Sequence, residues 1–326
     1  MATVKILSLD GGTRPLLACT LVKRLLAADP HLLDDVDIFA GTSAGAITAA
    51  LIAAAPTVAE GIDRSIALWQ TWRPFDGVGP LSARTLLALS GGCAFLTHEG
   101  LYEELRELFG EMRISDLRRR VVIPMMSLDN QVVLKKRRHW SIEIAHNLEE
   151  EEGMRSPSLA DVVLRSSSIP VLHPAFQGHV DGGLFANNPS MCALATARDF
   201  LGARIEDILV LSVGQGLSNN YMALSKGDVG YGKWLLDPDN PMALIKLVMD
   251  ANLQSTNYQI SRILEDRFVR LDPLLSAALE PSPGLAQGEF DAYQVDMATA
   301  VDLSPTLEQL AEINWIQAVP QPVSDV

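Results

Sequence analysis

Cysteine is scarce in this chain of 326 residues: Cys19, Cys93 and Cys192 are odd in number and show no metal-ligand spacing. On this pattern they build no disulfide framework and read as small buried hydrophobes in a reducing compartment. Positive charge is also short. With 26 Lys and Arg against 40 Asp and Glu, the formal net charge is -14 and the pI near 4.8, which argues against general affinity for nucleic acid or anionic membranes. Long apolar runs are missing: the most apolar segments, such as Ala44 to Ala55, are too short for a membrane span and read as buried helices. The opening MATVKILSLDGG lacks the basic region, apolar run and cleavage site of a secretory leader, so a soluble, cytoplasmic protein is expected. GxGxxG and the lysine-bearing P-loop are both absent, which argues against dinucleotide and nucleoside-triphosphate sites of those kinds.

What remains is a globular composition, 48% hydrophobic and 20% charged, in a chain long enough for one large α/β domain or two smaller ones. Val4 to Leu9 reads as a strand and Leu16 to Ala28 as a helix. The Asp10-Gly11-Gly12 loop between them would let a ligand approach backbone N–H groups closely. A second strand, Asp37 to Ala40, leads into GTSAG, Gly41 to Gly45, and another helix. The GxSxG spacing turns a strand sharply into a helix and holds Ser43 at the helix N-terminus, where N–H groups and the helix dipole favour negative charge. Such a turn suits a nucleophile, although small residues also serve ordinary strand-to-helix turns. Parallel strands with right-handed crossovers would bring the Gly11-Gly12 loop and Ser43 to one sheet edge.

Thr57 to Leu117 reads as mainly helical, broken at Pro74 to Pro80 and at Gly91-Gly92, with Leu101, Leu105 and Leu108 on one face after an N-cap at Thr97. Trp69 and Trp72 read as packing residues rather than a ligand cage. Val121 to Leu128 and Val132 to Leu134 read as strands joined at Asp129-Asn130. The next residues, KKRRHW from Lys135 to Trp140, form the dense basic patch; a solvated strand edge is the favoured reading and contact with lipid phosphate the secondary one. Glu149 to Gly153 reads as an acidic surface loop, and Ser158 to Ser167 as a helix. In GHVDGGLFANNP, Gly178 to Pro189, Asp181 follows a short strand and precedes two glycines, a setting that fits a turn aspartate as well as a functional carboxylate. Asp207 to Val213 is a buried strand ending at Gly214-Gln215-Gly216, so glycine recurs at the presumed carboxyl edge of the sheet. Trp234 to Leu264 is helical and rich in Leu and Met, as either core packing or a cover over the site. FVRLDP reads as a strand, Pro281 to Gly288 as an irregular stretch, Thr306 to Ile313 as a helix, and the tail after Pro320 as loose.

SLDGG at Ser8 to Gly12, GTSAG at Gly41 to Gly45, RSSSIP at Arg165 to Pro170 followed by HPAF, and VDGGLFANNP at Val180 to Pro189 carry a resemblance to the patatin-like phospholipase family over nearly the whole chain. LSVGQG at Leu211 to Gly216 fits it as well. The resemblance implies a single domain over residues 1–326, a three-layer α/β fold with a central, mostly parallel sheet flanked by helices, and a helical cover at about 217–264. It implies a serine and aspartate site without histidine: Ser43 attacks the ester carbonyl, and Asp181 takes its proton and then activates the water that releases the acyl group. N–H groups of Gly11, Gly12, Thr13 and Ala44 would form the oxyanion hole, supported by Asp10, Arg14, Gly41, Gly45, Gly182 and Gly183.

At that loop the chain departs from the family, which usually has DGGG, an aliphatic residue, a basic residue and glycine. Here Thr13, Arg14 and Pro15 follow DGG, one position shorter, and Pro15 has no N–H. Arg14 is read as steadying the loop rather than binding phosphate. A triad through His173 or His179 is the mechanistic rival. The substrates implied are phospholipids, lysophospholipids or related acyl lipids, met through transient membrane-surface contact. No cofactor, metal ion or nucleic acid is expected, and the oligomeric state is left open. Acyl transfer through the same acyl-enzyme, and a lipid-binding or regulatory role with an impaired oxyanion loop, are the alternatives.

Overall fold

Short aliphatic runs make the strands. In the computed structural model, which describes residues 3–72, 82–149, 156–217, 229–237, 240–275 and 285–316, they are β1 (Val4–Leu9), β2 (Ile38–Gly41), β3 (Arg120–Ser127), β4 (Ser141–His146), β5 (His179–Asp181), β6 (Ile208–Val213) and β7 (Phe268–Leu271). The helices among these residues are α1 (Pro15–Ala28), α2 (Ala44–Ala54), α3 (Val58–Thr71), α4 (Ala83–Leu89), α5 (Glu99–Phe109), α6 (Leu159–Ser166), α7 (Gly183–Ala186), α8 (Ser190–Leu201), α9 (Tyr231–Leu235), α10 (Ala243–Leu264), α11 (Gln287–Ala300) and α12 (Ser304–Glu312). One sheet runs in the order β4-β3-β2-β1-β6-β7, and β5 also pairs with β3. The pairs β1–β2, β1–β6, β2–β3 and β6–β7 are parallel, whereas β4 and β5 run antiparallel to β3.

Alternation along the strands sorts the core into two layers. Leu7, Phe39, Val121, Ile123 and Leu211 pack with α1, α2 and α6, while Ile6, Ile38, Val122 and Val210 pack with α8 and the end of α10. Both sheet faces are covered, which is why the central strands read as continuous apolar runs. Helix α2 is buried from Ala44 to Ala53, lying between the sheet and α3, so its small residues need no polar face.

Several local expectations are corrected. Val132 to Leu134 is not a strand: Val133 is 98% exposed with nothing to bury it, and the return strand is β4. The basic run accordingly forms an exposed 3-10 turn, Lys135–Arg137, rather than a strand edge. In α5 the buried face is Leu101, Leu105 and Phe109, the i, i+4, i+8 set; Leu108 turns outward and the cap position is His98, not Thr97. Helix α11 had no legible period because its buried face is Phe290, Gln294 and Ala298, with a polar residue at the centre. Gln294 Oε1 accepts from the Leu16 and Leu17 N–H groups at 3.1 and 3.4 Å, serving donors that the start of α1 leaves without helical partners.

The direction of β5 also differs from a parallel carboxyl edge. Strand β3 continues to Ser127 after β2 has ended at Gly41, and β5 returns antiparallel along that extension, pairing Asp181 with Met125. Asp181 therefore arrives beside the end of β2 from the opposite direction. Pro74 to Pro80, the acidic loop after Glu149, residues 218–228, the first half of Pro281 to Gly288 and the tail after Pro320 lie outside the described residues.

Candidate active site

Ser43 sits on the turn between β2 and α2 with φ 55° and ψ -124°, a backbone conformation that a non-glycine residue adopts only when its surroundings impose it. The neighbours do impose it. A Cβ on Gly41 would stand 2.1 Å from the Gly45 carbonyl oxygen, and one on Gly45 would stand 2.3 Å from the Leu9 carbonyl oxygen, so the turn closes against β1 only with both glycines. Gly45→Ala is expected to cost at least about 3 kcal/mol of stability in thermal unfolding. Gly230→Ala, with nothing within 4 Å of the added carbon, is the near-neutral control.

The turn is tied on all sides. The Ser43 N–H donates to Ser166 Oγ at 3.1 Å, the Ser166 hydroxyl donates to Pro124 O at 2.7 Å, and the Thr42 hydroxyl donates to Ala186 O at 2.6 Å. Ser43 Oγ then donates to Asp181 Oδ2 at 2.7 Å, while Asp181 Oδ1 accepts the Gly183 N–H at 2.6 Å. Gly182 lets this turn meet β3, since a Cβ there would lie 2.2 Å from Pro124 O. Asp181 is only 1% exposed; burial pushes its carboxyl pKa up to about 7, with the Ser43 and Gly183 hydrogen bonds limiting the rise.

The loop after β1 lies against this pair and is held by residues that sequence reading passed over. Gln215 staples it from both directions: its Oε1 accepts the Arg14 N–H at 2.7 Å and its Nε2 donates to Asp10 O at 2.8 Å. The half-buried Arg270 binds both Asp10 carboxylate oxygens, and its Nη2 also reaches Asp272 at 2.7 Å. Burial pushes Asp10 up to about 6 against the pull of Arg270. Burial opposes the charge on Arg270 as well, but Asp10 and Asp272 outweigh it and hold its pKa above the usual arginine range. The loop has thus become a scaffolded piece of backbone, with Arg14 buried beneath it.

That scaffold alters the expected donor set. The Gly11 N–H donates to Asn187 O at 2.9 Å and so is turned away from an attacked carbonyl. The Gly12 and Ala44 N–H groups have no acceptor among the described residues, and Thr13 lines the same cleft as Ser43. The cleft has apolar walls from Ile47, Trp69, Trp72, Leu96, Leu101 and Phe290. The two tryptophans pack edge to face at 5.5 Å, and they also form part of this wall.

Among the described residues no histidine hydrogen-bonds to Ser43 or Asp181. His173 borders the cleft but stacks on His98 at 5.6 Å, and burial pushes its pKa down to about 4. His179, on β5, bonds Glu143 Oε2 at 2.9 Å and Gln177 O at 2.8 Å. Met249 and Asn252 of α10 adjoin the Asp181 turn: Asn252 Nδ2 donates to Gly183 O at 2.6 Å and its Oδ1 accepts the Asn187 N–H at 2.9 Å. No group of three or more His, Cys, Asp or Glu among the described residues is placed to hold a metal ion, and no helix among them is long and apolar enough to cross a membrane.

The missed residues had faint signals. Gln215 lies between two glycines, Asn187 in a polar turn and Arg270 between apolar residues of a short strand; each of the first two falls within a family-like motif, but none of these settings names a partner.

Against known proteins, residues 7–194 match the family model described as Patatin-like phospholipase. The chain is 27% identical to the "Putative sporulation hydrolase CotR" of Bacillus subtilis (strain 168), over 97% of this chain and 99% of that protein. It is 28% identical to the "cGAMP-activated phospholipase" of Pseudomonas aeruginosa, over 83% of this chain and 78% of that one. Among solved structures, VipD from Legionella pneumophila aligns with 96% of this chain and 67% of its own, at 12% identity and a TM-score of 0.43.

Proposed function

The chain belongs to the patatin-like phospholipase family, and from that premise we propose that it hydrolyses acyl esters of phospholipids, lysophospholipids or related lipids through Ser43 and Asp181. The observation that carries this reading is the 2.7 Å hydrogen bond from Ser43 Oγ to Asp181 Oδ2, buried at an apolar cleft. Ser43 Oγ attacks the ester carbonyl as its proton passes to Asp181, whose pKa near 7 matches a base working close to neutral pH. The oxyanion meets the Gly12 and Ala44 N–H groups at the positive end of α2. The alcohol leaves with the proton from Asp181. Asp181 then deprotonates the water that attacks the acyl-Ser43 ester, and returns that proton to Ser43 Oγ as the ester bond breaks and the carboxylic acid is released. The acyl chain lies along Ile47, Trp69, Trp72, Leu96, Leu101 and Phe290, where its methylenes leave water.

The test is a p-nitrophenyl acyl ester series with the wild type, Ser43→Ala, and His173→Ala combined with His179→Ala, each checked for folding. Turnover is expected in all but Ser43→Ala, with chain-length preference read from the same series. A folded but inactive histidine variant would replace the dyad by a triad. The turned-away Gly11 N–H favours a second reading, a lipid-binding protein that acylates but does not release; a stoichiometric burst of p-nitrophenol followed by arrest would support it.

A further inference from the structure

Between β3 and β4 the chain forms a tip that combines exposed apolar side chains with positive charge. Val133 is 98% exposed, Trp140 73% and Leu134 58%. Lys135, Lys136 and Arg137, on the 3-10 turn among them, have no carboxylate partner among the described residues, while Arg138 pairs with Asp129 at 3.3 Å. In a chain of net charge -14 this is a local reversal of sign. Packing does not account for it, because no described residue buries these apolar groups.

The position of the tip is equally specific. The Leu128 N–H donates to Gly178 O at 2.9 Å, so the tip leaves the sheet beside the strand that carries Asp181. Strands β2 and β3 are parallel, so the tip leaves the same edge as the Ser43 turn. Beyond that edge, the first turns of α10 leave Leu244, Leu247 and Val248 exposed.

We propose that this tip docks the protein on an anionic lipid bilayer. Lys135, Lys136 and Arg137 meet head-group phosphates, while Val133, Leu134 and Trp140 enter the interface and turn the cleft edge toward lipid. Basic side chains are drawn to an anionic leaflet, and an indole sits favourably at the boundary between head groups and acyl chains. A nucleic acid would attract the same cations but would leave Val133 and Leu134 in water. The use made of docking rests on the acyl-lipid reading above; the attraction itself does not.

The test sediments the full chain with phosphatidylcholine vesicles, with and without phosphatidylserine, and assays the same preparations on soluble p-nitrophenyl butyrate. Binding is expected only with phosphatidylserine and should fall as salt is raised. The charge-reversed variant Lys135→Glu, Lys136→Glu, Arg137→Glu is expected to bind at least roughly 100-fold more weakly. Val133→Ser, Leu134→Ser, Trp140→Ser should bind roughly 10-fold more weakly or worse. Both variants should keep butyrate hydrolysis.

Wild type that hydrolyses butyrate but stays off phosphatidylserine vesicles would overturn docking and leave the catalytic reading standing. Binding without hydrolysis would do the reverse. Salt-insensitive vesicle binding by the wild type also overturns the proposal, and that arm needs no variant to fold. Tip-dependent capture of a nucleic acid in place of vesicles would overturn it too.

Discussion

Asp181→Asn is expected to lower kcat by roughly a thousand- to a hundred-thousand-fold while making the protein more stable at about pH 8. The amide has the shape of the carboxylate and can meet its hydrogen bonds. Its oxygen accepts the Gly183 N–H in place of Asp181 Oδ1, and its nitrogen donates to Ser43 Oγ, which is free to accept. What disappears is the proton acceptor. What also disappears is a buried negative charge: burial holds the Asp181 pKa near 7 against an ordinary 3.8, so the ionised carboxylate costs the folded state about 4 kcal/mol in alkaline buffer. The folded protein therefore binds this proton more tightly than the unfolded chain does. Wild-type stability attributable to Asp181 falls as pH rises from 3.8 to about 7 and is level above. The gain in Tm from Asp181→Asn should be widest at alkaline pH and vanish below 3.8. Wild-type hydrolysis should run oppositely, rising through about pH 7 as the base loses its proton. Thermal melts of both proteins across pH, set beside the pH–rate profile, check this; a variant less stable than wild type in alkaline buffer would contradict it.

The same carboxylate marks how far local pattern reaches. Gly41, Ser43 and Gly45 could be read as a sharp turn because close backbone approaches restrict the residue type within a few positions of it, whereas Asp181 suited an ordinary turn equally well and was singled out only by the family resemblance. The sandwich of helices on a mostly parallel sheet was legible for a similar reason, since strands covered on both faces have no polar side to alternate with. The supports of the site were not. Gln215 lies 205 positions from Asp10, and Arg270 lies 260 from it; nothing near either residue names its partner. The direction of β5 was hidden as well, because three residues, His179–Asp181, carry too little pattern to say which way they run. At 132–134 the β-branched residues looked like a strand, yet a run that no neighbour covers has nothing to gain from pairing. The Gly11 N–H shows the limit most clearly. Its glycine suits a ligand, but a carbonyl from Asn187, far along the chain, occupies the donor.

Arg270→Met carries the second large expectation, about 3–5 kcal/mol of lost stability together with collapse of ester hydrolysis. Arg270 Nη1 donates to Asp10 Oδ1 at 2.9 Å and to Ser212 Oγ at 2.7 Å, while Nη2 binds Asp10 Oδ2 and Asp272 Oδ2. The Asp10 and Asp272 side chains are 3% and 4% exposed, so removing the cation leaves two carboxylates that water cannot reach. Burial already pushes Asp10 up to about 6 with the guanidinium in place, and without it the carboxyl must move further up and take a proton. The defect should therefore shrink as pH falls toward about 6, because the further-raised carboxyl takes its proton above that pH and protonation removes the uncompensated charge. Adding Asp10→Asn and Asp272→Asn to Arg270→Met should restore much of the stability, since a buried ion cluster replaced as a whole leaves no stranded charge. Activity should not return with it. Asp10 begins the loop whose Gly12 lines the cleft, and neutral side chains would not reproduce the paired contacts that hold it. Urea unfolding of the single and triple variants, with kcat measured where each is folded, separates the two effects. Full activity in a stable triple variant would mean that Gln215 and Asn187 alone suffice to hold the loop, and that the ion cluster serves the fold rather than the chemistry.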